Sequence, residues 1–330
     1  MKQENLLGID VSSKEVVVKI RRSGKSYPCA TFENDVAGHK KLIRWATKGG
    51  KTARVCLEAT GVYSFELALA LHRHPHSKVM VINPRALRNF AQALMQRAKT
   101  DPIDAEVALE FLERMPFRAW QPPCDEILQL QAISRRICQL KMELNRAGNR
   151  KHACLQRPSV CRVVINDLDV HIRHLKRRVQ QLEGEGLKLI QALPDLERQF
   201  QRLISVKGIA TTSALRILAE IAVLPKDMQP EQWVAHAGLD PRPFESGETI
   251  KRHRYITKAG NKYLRAALFF PALVAIQQEA NVKAFYARLI ARGKKPMQAV
   301  VAVMRKLLRT IWGMLEYDQD FNGEKFYKMA

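Results

Sequence analysis

The 330-residue chain is poor in several features that would each point to a particular class of protein. Its six cysteines are scattered, with no C-x-x-C pair, which argues against a zinc site and a disulfide framework and fits a reducing compartment. No uncharged apolar run approaches ~18 residues, so we expect no transmembrane helix. The opening MKQENLLGID lacks the apolar core of a signal peptide. We therefore expect a cytoplasmic protein.

Acidic residues are also scarce relative to basic ones. The sequence has 32 Asp and Glu against 55 Lys and Arg, a net charge of +23. So large a positive charge indicates a polyanionic partner, because each phosphate that a basic side chain neutralises releases condensed counterions. A hydrophobic fraction of 46% is enough for folded cores and argues against wholesale disorder. We predict a folded nucleic-acid-binding protein; a soluble protein with a basic surface is the alternative.

The first 120 residues alternate apolar strands with amphipathic helices. Three short strands in quick succession, at 5–12, 15–22 and 29–34, predict an antiparallel meander. Strands at 53–60 and 78–83 alternate with helices, so they should lie parallel in a mixed sheet. The predicted helices of this part are 35–48, 63–74, 84–98 and 101–114.

The pattern changes at the Pro-Pro pair of RAWQPPCDE, residues 118–126. From about 125 to 204 the sequence reads as helix with a break near 155–160, and apolar residues recur every three to four positions across 163–186. That spacing predicts an antiparallel helical hairpin or coiled coil. Its apolar positions are Val164, Leu168, Ile172, Leu175, Val179 and Leu182.

A third unit is predicted from about Leu203 onwards. Gly208 falls between two predicted helices in LISVKGIATTSALRILAEI. It would form either an ordinary turn or one whose backbone N–H groups face a phosphate, as in a helix-hairpin-helix element. The expected fold is α/β plus α: a mixed-sheet domain at 1–120, a helical linker and coiled-coil hairpin at 121–202, and a mostly helical domain at 203–330.

Four acidic residues stand out by their context. Asp10 lies inside the apolar strand LLGIDVS and Glu58 near the end of VCLEAT, where a charge is costly unless it binds something. Asp101 and Asp104 are three residues apart at a predicted helix start, so they share a helix face. Each has a structural alternative: a polar strand end, a salt bridge, or an Asp N-cap followed by proline at N1 and an acid at N3.

Together the four carboxylates match the ribonuclease-H layout, in which acids on strands and on a late helix converge at one edge of a mixed sheet. Such sites hold two divalent ions about 4 Å apart that assist phosphoryl transfer. Hard oxygen ligands favour Mg²⁺ or Mn²⁺. The opening GIDVSSK also resembles the first phosphate hairpin of actin-like sugar kinases. We set that alternative aside, because the sequence offers no second glycine-rich phosphate loop and no adenosine site downstream.

The C-terminal third is basic and carries one serine in a loop of interest. Residues 251–310 contain fourteen Lys and Arg and a single acid, interleaved with apolar helical faces, which indicates a basic surface built on a core. The loop GLDPRPFESGETIKRHR, residues 238–254, holds Ser246 shortly before a basic run. A serine hydroxyl needs activation by a base or a metal to act as a nucleophile. Between His253 and a divalent cation from the carboxylate site, we favour the cation.

Several stretches carry a family resemblance, in order over essentially the whole chain: GIDVSSKEV, CLEATGVY, VINPRALRNFA, AKTDPIDAEVAL, ISVKGIATTSALRILAEI, WVAHAGLDPRPFESGE and ITKAGNKYLRAALFFPALVA. Taken together they resemble the transposases of insertion-sequence family 110, the DEDD transposases also called bridge-RNA-guided recombinases. One departure is minor: Glu248 stands where a small polar residue is common in the family.

The resemblance implies more than the residue pattern alone. It implies a RuvC-like, ribonuclease-H-like domain, a coiled-coil insertion and a C-terminal transposase domain. Asp10, Glu58, Asp101 and Asp104 fall on the family's catalytic and metal-binding tetrad, and Ser246 on its catalytic serine. That serine attacks a DNA phosphodiester to form a covalent phosphoserine intermediate, with Mg²⁺ or Mn²⁺ as cofactor. The implied partners are donor and target DNA, a structured noncoding guide RNA, and further copies of the chain in a tetramer built from dimers, in the nucleoid of a bacterium.

Candidate nucleic-acid-binding residues complete the expectation. They flank the serine or lie in turns that lead into strands and helices: Lys14, Gly208, Lys251, Arg252, Arg254, Lys258, Asn261, Lys262 and Arg265. Basic side chains there would hold backbone phosphates and stabilise charge on the scissile one. Two alternatives stay open: a metal-dependent RuvC-type nuclease or junction resolvase with a merely structural Ser246, and a non-catalytic protein that only organises RNA and DNA.

Overall fold

The computed structural model describes residues 4–59, 61–96, 100–157, 159–242, 245–246, 250–251 and 255–329. The chain divides into two compact units, Met1–Pro122 and Pro123–Ala330. The predicted three-domain division stays a prediction; helices before and after residue 202 contribute to one apolar core in the second unit.

The first unit consists of strands and helices close to the predicted bounds, with α3 ending five residues before its predicted end at 98 and with one additional two-residue strand, β3. In chain order the elements are β1 (Asn5–Val11), β2 (Glu15–Arg22), β3 (Lys25–Ser26), β4 (Ala30–Glu33), α1 (Val36–Ala46), β5 (Ala53–Glu58), α2 (Val62–Arg73), β6 (Ser77–Ile82), α3 (Pro84–Ala93) and α4 (Asp101–Arg114).

Six strands of the described residues form one mixed sheet, in the order β3-β2-β1-β5-β6, with β4 also paired to β2. The predicted meander is confirmed, because β1 and β4 each pair antiparallel with β2. The predicted parallel part is confirmed as well, since β5 pairs parallel with β1 and with β6. Parallel strands of this kind need helical crossovers, and such a sheet is covered on both faces.

Each face of the sheet has its own apolar core. One face packs Leu7 and Ile9 of β1 with Leu42 of α1 and Leu67 of α2. The other packs strand residues such as Met80 with apolar side chains of α3 and α4. Burial of these side chains, at ~25 cal/mol for each Å² of apolar surface, holds the helices on the sheet.

Gly8 sets how closely α4 approaches the sheet. A Cβ atom at this position would overlap the carbonyl oxygen of Ala105 and the amide nitrogen of Leu109. The helix backbone therefore lies directly against β1, which is one of the reasons a glycine is used inside a strand. This contact fixes where the N-terminal end of α4 stands relative to the end of β1.

The second unit is mostly helical. Its elements are α5 (Asp125–Leu155), α6 (Arg162–Gln191), α7 (Pro194–Ile204), α8 (Thr211–Ile221), α9 (Pro230–His236), the short strands β7 (Pro241–Arg242), β8 (Glu245–Ser246), β9 (Ile250–Lys251) and β10 (Tyr255–Ile256), then α10 (Lys262–Gln278), α11 (Ala280–Ala291), α12 (Pro296–Glu316) and α13 (Gly323–Phe326). With the mixed sheet of the first unit, this confirms the predicted α/β plus α class.

Helices α5 and α6 form the predicted antiparallel hairpin. Two ion pairs show the direction: Lys151 contacts Asp169 near the tip of the hairpin, and Lys141 contacts Glu183 farther from it. The apolar seam is buried at two of its predicted positions, Leu175 and Val179, and partly buried at Ile172 and Leu182. The predicted seam is wrong at Val164, which is 44% exposed, because the neighbouring Ile165 turns inward there instead. Within the described ranges, no helix combines the length and the apolar character needed to cross a membrane.

Candidate active site

The strand register brings Asp10 and Glu58 next to each other. In the parallel pair of β1 and β5, Ile9 is opposite Leu57. The following residue of each strand, Asp10 and Glu58, therefore lies at the same level, at the carboxyl ends of adjacent parallel strands. Polar groups that converge at this edge of an α/β sheet are where such folds bind ligands.

Helix α4 brings the acidic pair to the same edge. The contact of Gly8 with Ala105 and Leu109 places the middle of α4 over the middle of β1. One helical turn before Ala105 is Asp101, and two strand residues after Gly8 is Asp10. Because the helix runs against the strand direction, its first turn stands over the strand end that carries Asp10.

The electrostatics of Asp10 agree with this convergence. Burial, followed by the charges of Asp101, Asp104 and Glu58, raises the pKa of Asp10 from 3.8 to about 6. A backbone hydrogen bond from Val11 acts in the opposite direction. A carboxyl group whose pKa is raised by like charges is stabilised in its ionised form when a cation binds nearby.

The chemical type of these side chains suits a divalent cation. Clustered carboxylate oxygens are the ligands that Mg²⁺ and Mn²⁺ prefer. In the part of the chain that the structure describes, no group of three or more His, Cys, Asp or Glu side chains is already gathered closely enough to hold a metal ion. The charges of Asp101, Asp104 and Glu58 thus contribute to the raised pKa of Asp10, although the described residues do not form a closed ligand set.

The start of α4 differs from the predicted cap. Thr100 is the N-cap residue, without a side-chain cap hydrogen bond, and Asp101 is the first residue of the helix. The alternative explanation of Asp101 as an N-cap is therefore wrong. The negative charges of Asp101 and Asp104 in the first turn still favour the helix through its dipole.

Ser246 lies in a narrow β-ribbon of the second unit. The inner pair joins β7 to β10, and the outer pair joins β8 to β9 with Ser246 opposite Ile250 and Glu245 opposite Lys251. Ser246 is the last residue of β8, so its backbone is close to the tip of the ribbon. Residues 247–249 and the predicted phosphate contacts Arg252 and Arg254, with His253, lie outside the described residues.

A hydrogen-bonded network near the base of the ribbon was missed by sequence reasoning. Glu220 of α8 is fully buried at 0% exposure, yet it accepts hydrogen bonds from both Nε and Nη2 of Arg135, at 2.9 and 3.0 Å. It also accepts one from the amide of Asn261 at 2.7 Å. His236 lies beside this amide, and burial lowers its pKa. The signal available in the sequence was an acid inside the apolar run ALRILAEI of α8.

The network leads directly into the ribbon. The backbone N–H of Asn261 donates to the carbonyl of His236 at 2.6 Å, which ties the start of α10 to the end of α9. Asp240 directly precedes the first strand of the ribbon, and Thr257 directly follows the last. The hydroxyl of Thr257 donates to the carboxylate of Asp240, and the backbone N–H of Thr257 donates to the carbonyl of Asp240. The two ends of the segment that carries Ser246 are therefore held together by partly buried polar contacts.

Three predicted phosphate-binding lysines are exposed. Lys14 lies in the turn that follows β1, at the same sheet edge as Asp10. Lys258 adopts a left-handed backbone conformation with φ of 51° just after the ribbon, and Lys262 is the first residue of α10. None of the three has a salt bridge within the described part of the chain, so each is available to a phosphate. For Lys251 the structure gives the backbone position in β9.

The other predicted contacts have structural roles. The side chain of Asn261 accepts from two backbone amides of α10 and donates to Glu220, and Arg265 donates to the carbonyl of Ala237 at 2.6 Å. Gly208 has φ of 111°, and a Cβ there would lie 2.7 Å from the carbonyl oxygen of Pro271. Close packing on α10 thus explains why residue 208 is a glycine. Nucleic-acid binding by Asn261, Arg265 and Gly208 remains a prediction.

Comparison with known proteins identifies the family. Residues 7–158 match a DEDD-type IS110 transposase family, and residues 200–287 match the family described as "Transposase IS116/IS110/IS902 family". The chain is 28% identical over 320 residues to the "Pilin gene-inverting protein" of Moraxella bovis, covering 96% of this chain and 97% of that protein. The protein of the same name from Moraxella lacunata gives the same identity and coverage.

A further relative is similar over less of the chain. A "Probable family 20 transposase" of Pseudomonas aeruginosa is 31% identical over 150 residues, or 44% of each chain. The first family match covers most of the sheet unit and helix α5, and the second covers the helices around the Ser246 ribbon. The chain therefore belongs to the IS116/IS110/IS902 family of transposases, and its substrate is DNA.

Proposed function

We propose that this transposase exchanges DNA strands through a covalent intermediate on Ser246, assisted by a divalent cation at Asp10, Glu58, Asp101 and Asp104, and that a structured RNA guides it to its DNA sites. The observation that supports the proposal is the position of Asp10 and Glu58 at the ends of paired strands, with Asp101 and Asp104 in the first turn of the helix packed against β1. The gene-inverting name of two relatives that align over nearly the whole chain supports rejoining, as well as cutting, of DNA strands.

The carboxylates would hold Mg²⁺ or Mn²⁺. When bound, the ion would supply stabilisation of negative charge on the oxygens of the phosphodiester. The chain itself supplies an edge of fixed geometry, because Asp10 and Glu58 are on paired strands and Asp101 and Asp104 are on a helix packed against them. The exposed Lys14 at the same edge would hold a neighbouring phosphate.

The serine supplies the reacting atom. Its hydroxyl oxygen forms a bond to phosphorus while the bond from phosphorus to the 3′ oxygen breaks. The proton lost by the serine is balanced by the proton gained by the departing 3′ hydroxyl. The DNA end stays attached to Ser246 as a phosphodiester, so the bond energy is kept for rejoining to another strand.

Partners follow from the charge and the hairpin. A net charge of +23 suits the simultaneous binding of DNA and a guide RNA. Val163 and Val170 are 77% and 57% exposed near the tip of the α5–α6 hairpin, and exposed apolar residues of this size favour subunit contacts. We propose that the hairpin pairs two chains and that two pairs form a tetramer. Replacing both valines with glutamate should lower the molar mass measured by light scattering; an unchanged tetramer would exclude this role for the hairpin.

A covalent adduct is the direct test of the proposed chemistry. The full-length protein, its RNA, Mg²⁺ and end-labelled DNA should give a protein–DNA species that survives denaturation, and Ser246→Ala should abolish it. Ser159→Ala, at an exposed serine in the hairpin loop, is the matched control and should form the adduct normally. DNA cleavage by wild type without any adduct would favour a metal-dependent nuclease or resolvase instead.

The third possibility is a non-catalytic organiser of RNA and DNA. Asp10→Ala and Ser246→Ala would then leave strand transfer unchanged. We expect both to reduce strand transfer by at least two orders of magnitude, the usual effect of removing a catalytic group.

A further inference from the structure

A basic cleft in the second unit is distant in sequence from Ser246 and is used by none of the steps above. It has a volume of about 640 Å³ and lies between α11, α12 and the C-terminal segment that contains α13. Among its lining residues are Arg305, Lys306 and Arg309 of α12 and Lys325 of α13. Its volume is within the range of sites that bind small molecules or short segments of a larger ligand.

The positive charge of the cleft is poorly neutralised. In the part of the chain that the structure describes, Arg305, Lys306 and Lys325 form no salt bridge. The one carboxylate among the described lining residues is Asp320, and Arg202 binds it at 2.9 Å. Arg309 is paired with Glu231 at 2.6 Å, whereas Arg305, one turn away on α12, stands beside it without a carboxylate of its own in the described part of the chain. This arrangement is unfavourable for folding alone and favourable for binding an anion.

Lys306 is held in place by aromatic rings. Its Nζ lies 4.4 Å from the ring centre of Phe285, 5.2 Å from that of Phe326 and 5.4 Å from that of Tyr327. Cation–π contacts of this length hold an ammonium group without neutralising its charge. Burial lowers the pKa of Lys306, as do the nearby charges of Arg288 and Arg309. An anion in the cleft would offset this repulsion.

The cleft also has an exposed aromatic ring. Tyr317 lines it and is 66% exposed, and its ring is perpendicular to that of Trp312 at 6.3 Å between ring centres. A large exposed ring beside cations is the combination with which proteins bind single strands, since bases stack on the ring while phosphates contact the cations. A base in a duplex is already stacked and paired, so it cannot reach such a ring without unpairing.

We propose that this cleft binds a single-stranded segment of nucleic acid, with phosphates on Arg305, Lys306 and Lys325 and a base stacked on Tyr317. The site needs no strand cleavage, and its test uses binding alone. The proposed covalent chemistry of Ser246 can therefore fail without affecting this inference, and the reverse also holds.

Binding of a fluorescein-labelled ten-nucleotide oligouridine to the full-length protein, in EDTA, tests the phosphate contacts. The Arg305→Gln/Lys325→Gln double variant should bind about tenfold more weakly. The slope of the logarithm of the binding constant against the logarithm of salt concentration should be shallower by about 1.4, as for two lost phosphate contacts. The matched control, Lys294→Gln/Lys295→Gln, removes two exposed charges that do not line the cleft and should change affinity less than about twofold. Equal losses in the two double variants would overturn the proposal.

Tyr317 tests the stacked base. Tyr317→Ala should weaken binding by about tenfold, whereas Tyr317→Phe, which keeps the ring, should bind normally. An oligouridine carrying 5-iodouridine should crosslink to the peptide that contains Tyr317, as found by mass spectrometry. The single-strand assignment would be overturned by crosslinks confined to other peptides, or by a ten-base-pair duplex that displaces the oligouridine as well as unlabelled single strand does. Thermal unfolding of each variant within about 2 °C of wild type shows that the fold is kept.

Discussion

Each unit has an acidic residue in buried surroundings, and the two residues differ in the groups that lie next to their carboxylates. Burial, followed by the charges of three nearby carboxylates, raises the pKa of Asp10 on β1 to about 6. Glu220 on α8 is fully buried, but Arg135, Gln131 and Asn261 donate hydrogen bonds to its oxygens. The surroundings of Asp10 are electrostatically unfavourable for its ionised form, whereas hydrogen bonds and an arginine compensate the negative charge of Glu220.

The different surroundings of Glu220 and Asp10 suit different roles, one in stabilising the fold and one in binding a ligand. A buried carboxylate with a bidentate arginine is a stable part of a fold and binds nothing further. Burial and nearby carboxylates disfavour the ionised form of a carboxyl group, and groups with pKa values shifted in this way cluster at functional sites. Glu220 thus holds the base of the Ser246 ribbon, while the surroundings of Asp10 agree with its proposed role in binding a cation.

The largest effect is expected at Glu220. Glu220→Gln removes the charge that Arg135 faces and should lower the free energy of unfolding by about 3 kcal/mol, as when one partner of a buried pair is lost. Glu231→Gln, which breaks the exposed pair with Arg309, is the matched control and should cost less than about 1 kcal/mol. Urea unfolding measures both. Similar small losses would show that the two ion pairs do not differ.

The second effect concerns the contact that positions α4. Gly8→Ala inserts a methyl group where the backbone of α4 lies, and it should cost about 2 kcal/mol and reduce divalent-cation binding. Gly148→Ala, at a helical glycine of α5 with open space around it, should instead stabilise the protein by up to about 1 kcal/mol. A Gly8→Ala variant with wild-type stability and cation affinity would contradict the proposed role of this contact.

A gain of stability is expected at Asp10. Asp10→Asn relieves the repulsion among the carboxylates and, at pH 7.5 in EDTA, should raise the free energy of unfolding by about 1 kcal/mol, a value discounted for solvent screening. The matched control is Glu33→Gln, at an exposed acid of β4 in the same unit, and its effect should be near zero. Destabilisation by Asp10→Asn would mean that the Asp10 charge is compensated after all.

The smallest effect is a pH dependence from His236. Burial lowers its pKa in the folded state, with Glu220 of α8 opposing that shift and Arg135 of α5 adding to it. Neutral His236 therefore contributes stability at pH values above about 6.5, and this contribution is lost as the pH falls below that value. His236→Gln should flatten the decrease in stability between pH 7.5 and 5.5. The exposed His152→Gln should leave the decrease unchanged, and equal slopes for wild type and His236→Gln would contradict the account.

Much of the first unit could be predicted from its sequence. Strands and helices with clear periodicity, such as β5 and α4, are found close to their predicted bounds, because local apolar pattern determines them. The convergence of the four acids could be proposed from their positions on these elements. The contact of Gly8 with α4 could not, since it depends on how a helix and a strand 97 residues apart in sequence pack together, as the Gly8–Ala105 contact shows.

The second unit was less predictable. The hairpin of α5 and α6 follows from apolar spacing, yet its seam changes register near the tip, where Ile165 replaces Val164. The predicted phosphate contact Asn261 has a helix-capping role and binds Glu220, a partner 41 residues away. Strands of two residues, such as β8 and β9, depend on pairing with each other and leave no periodic signal in the sequence.

Calorimetric titration with Mg²⁺ in the absence of nucleic acid tests the central comparison most directly. Wild type and Glu220→Gln, at a temperature where both are folded, should bind the cation with similar affinity. Asp10→Asn should bind at least tenfold more weakly. Equal binding by wild type and Asp10→Asn would contradict the assignment of the four carboxylates as the cation site.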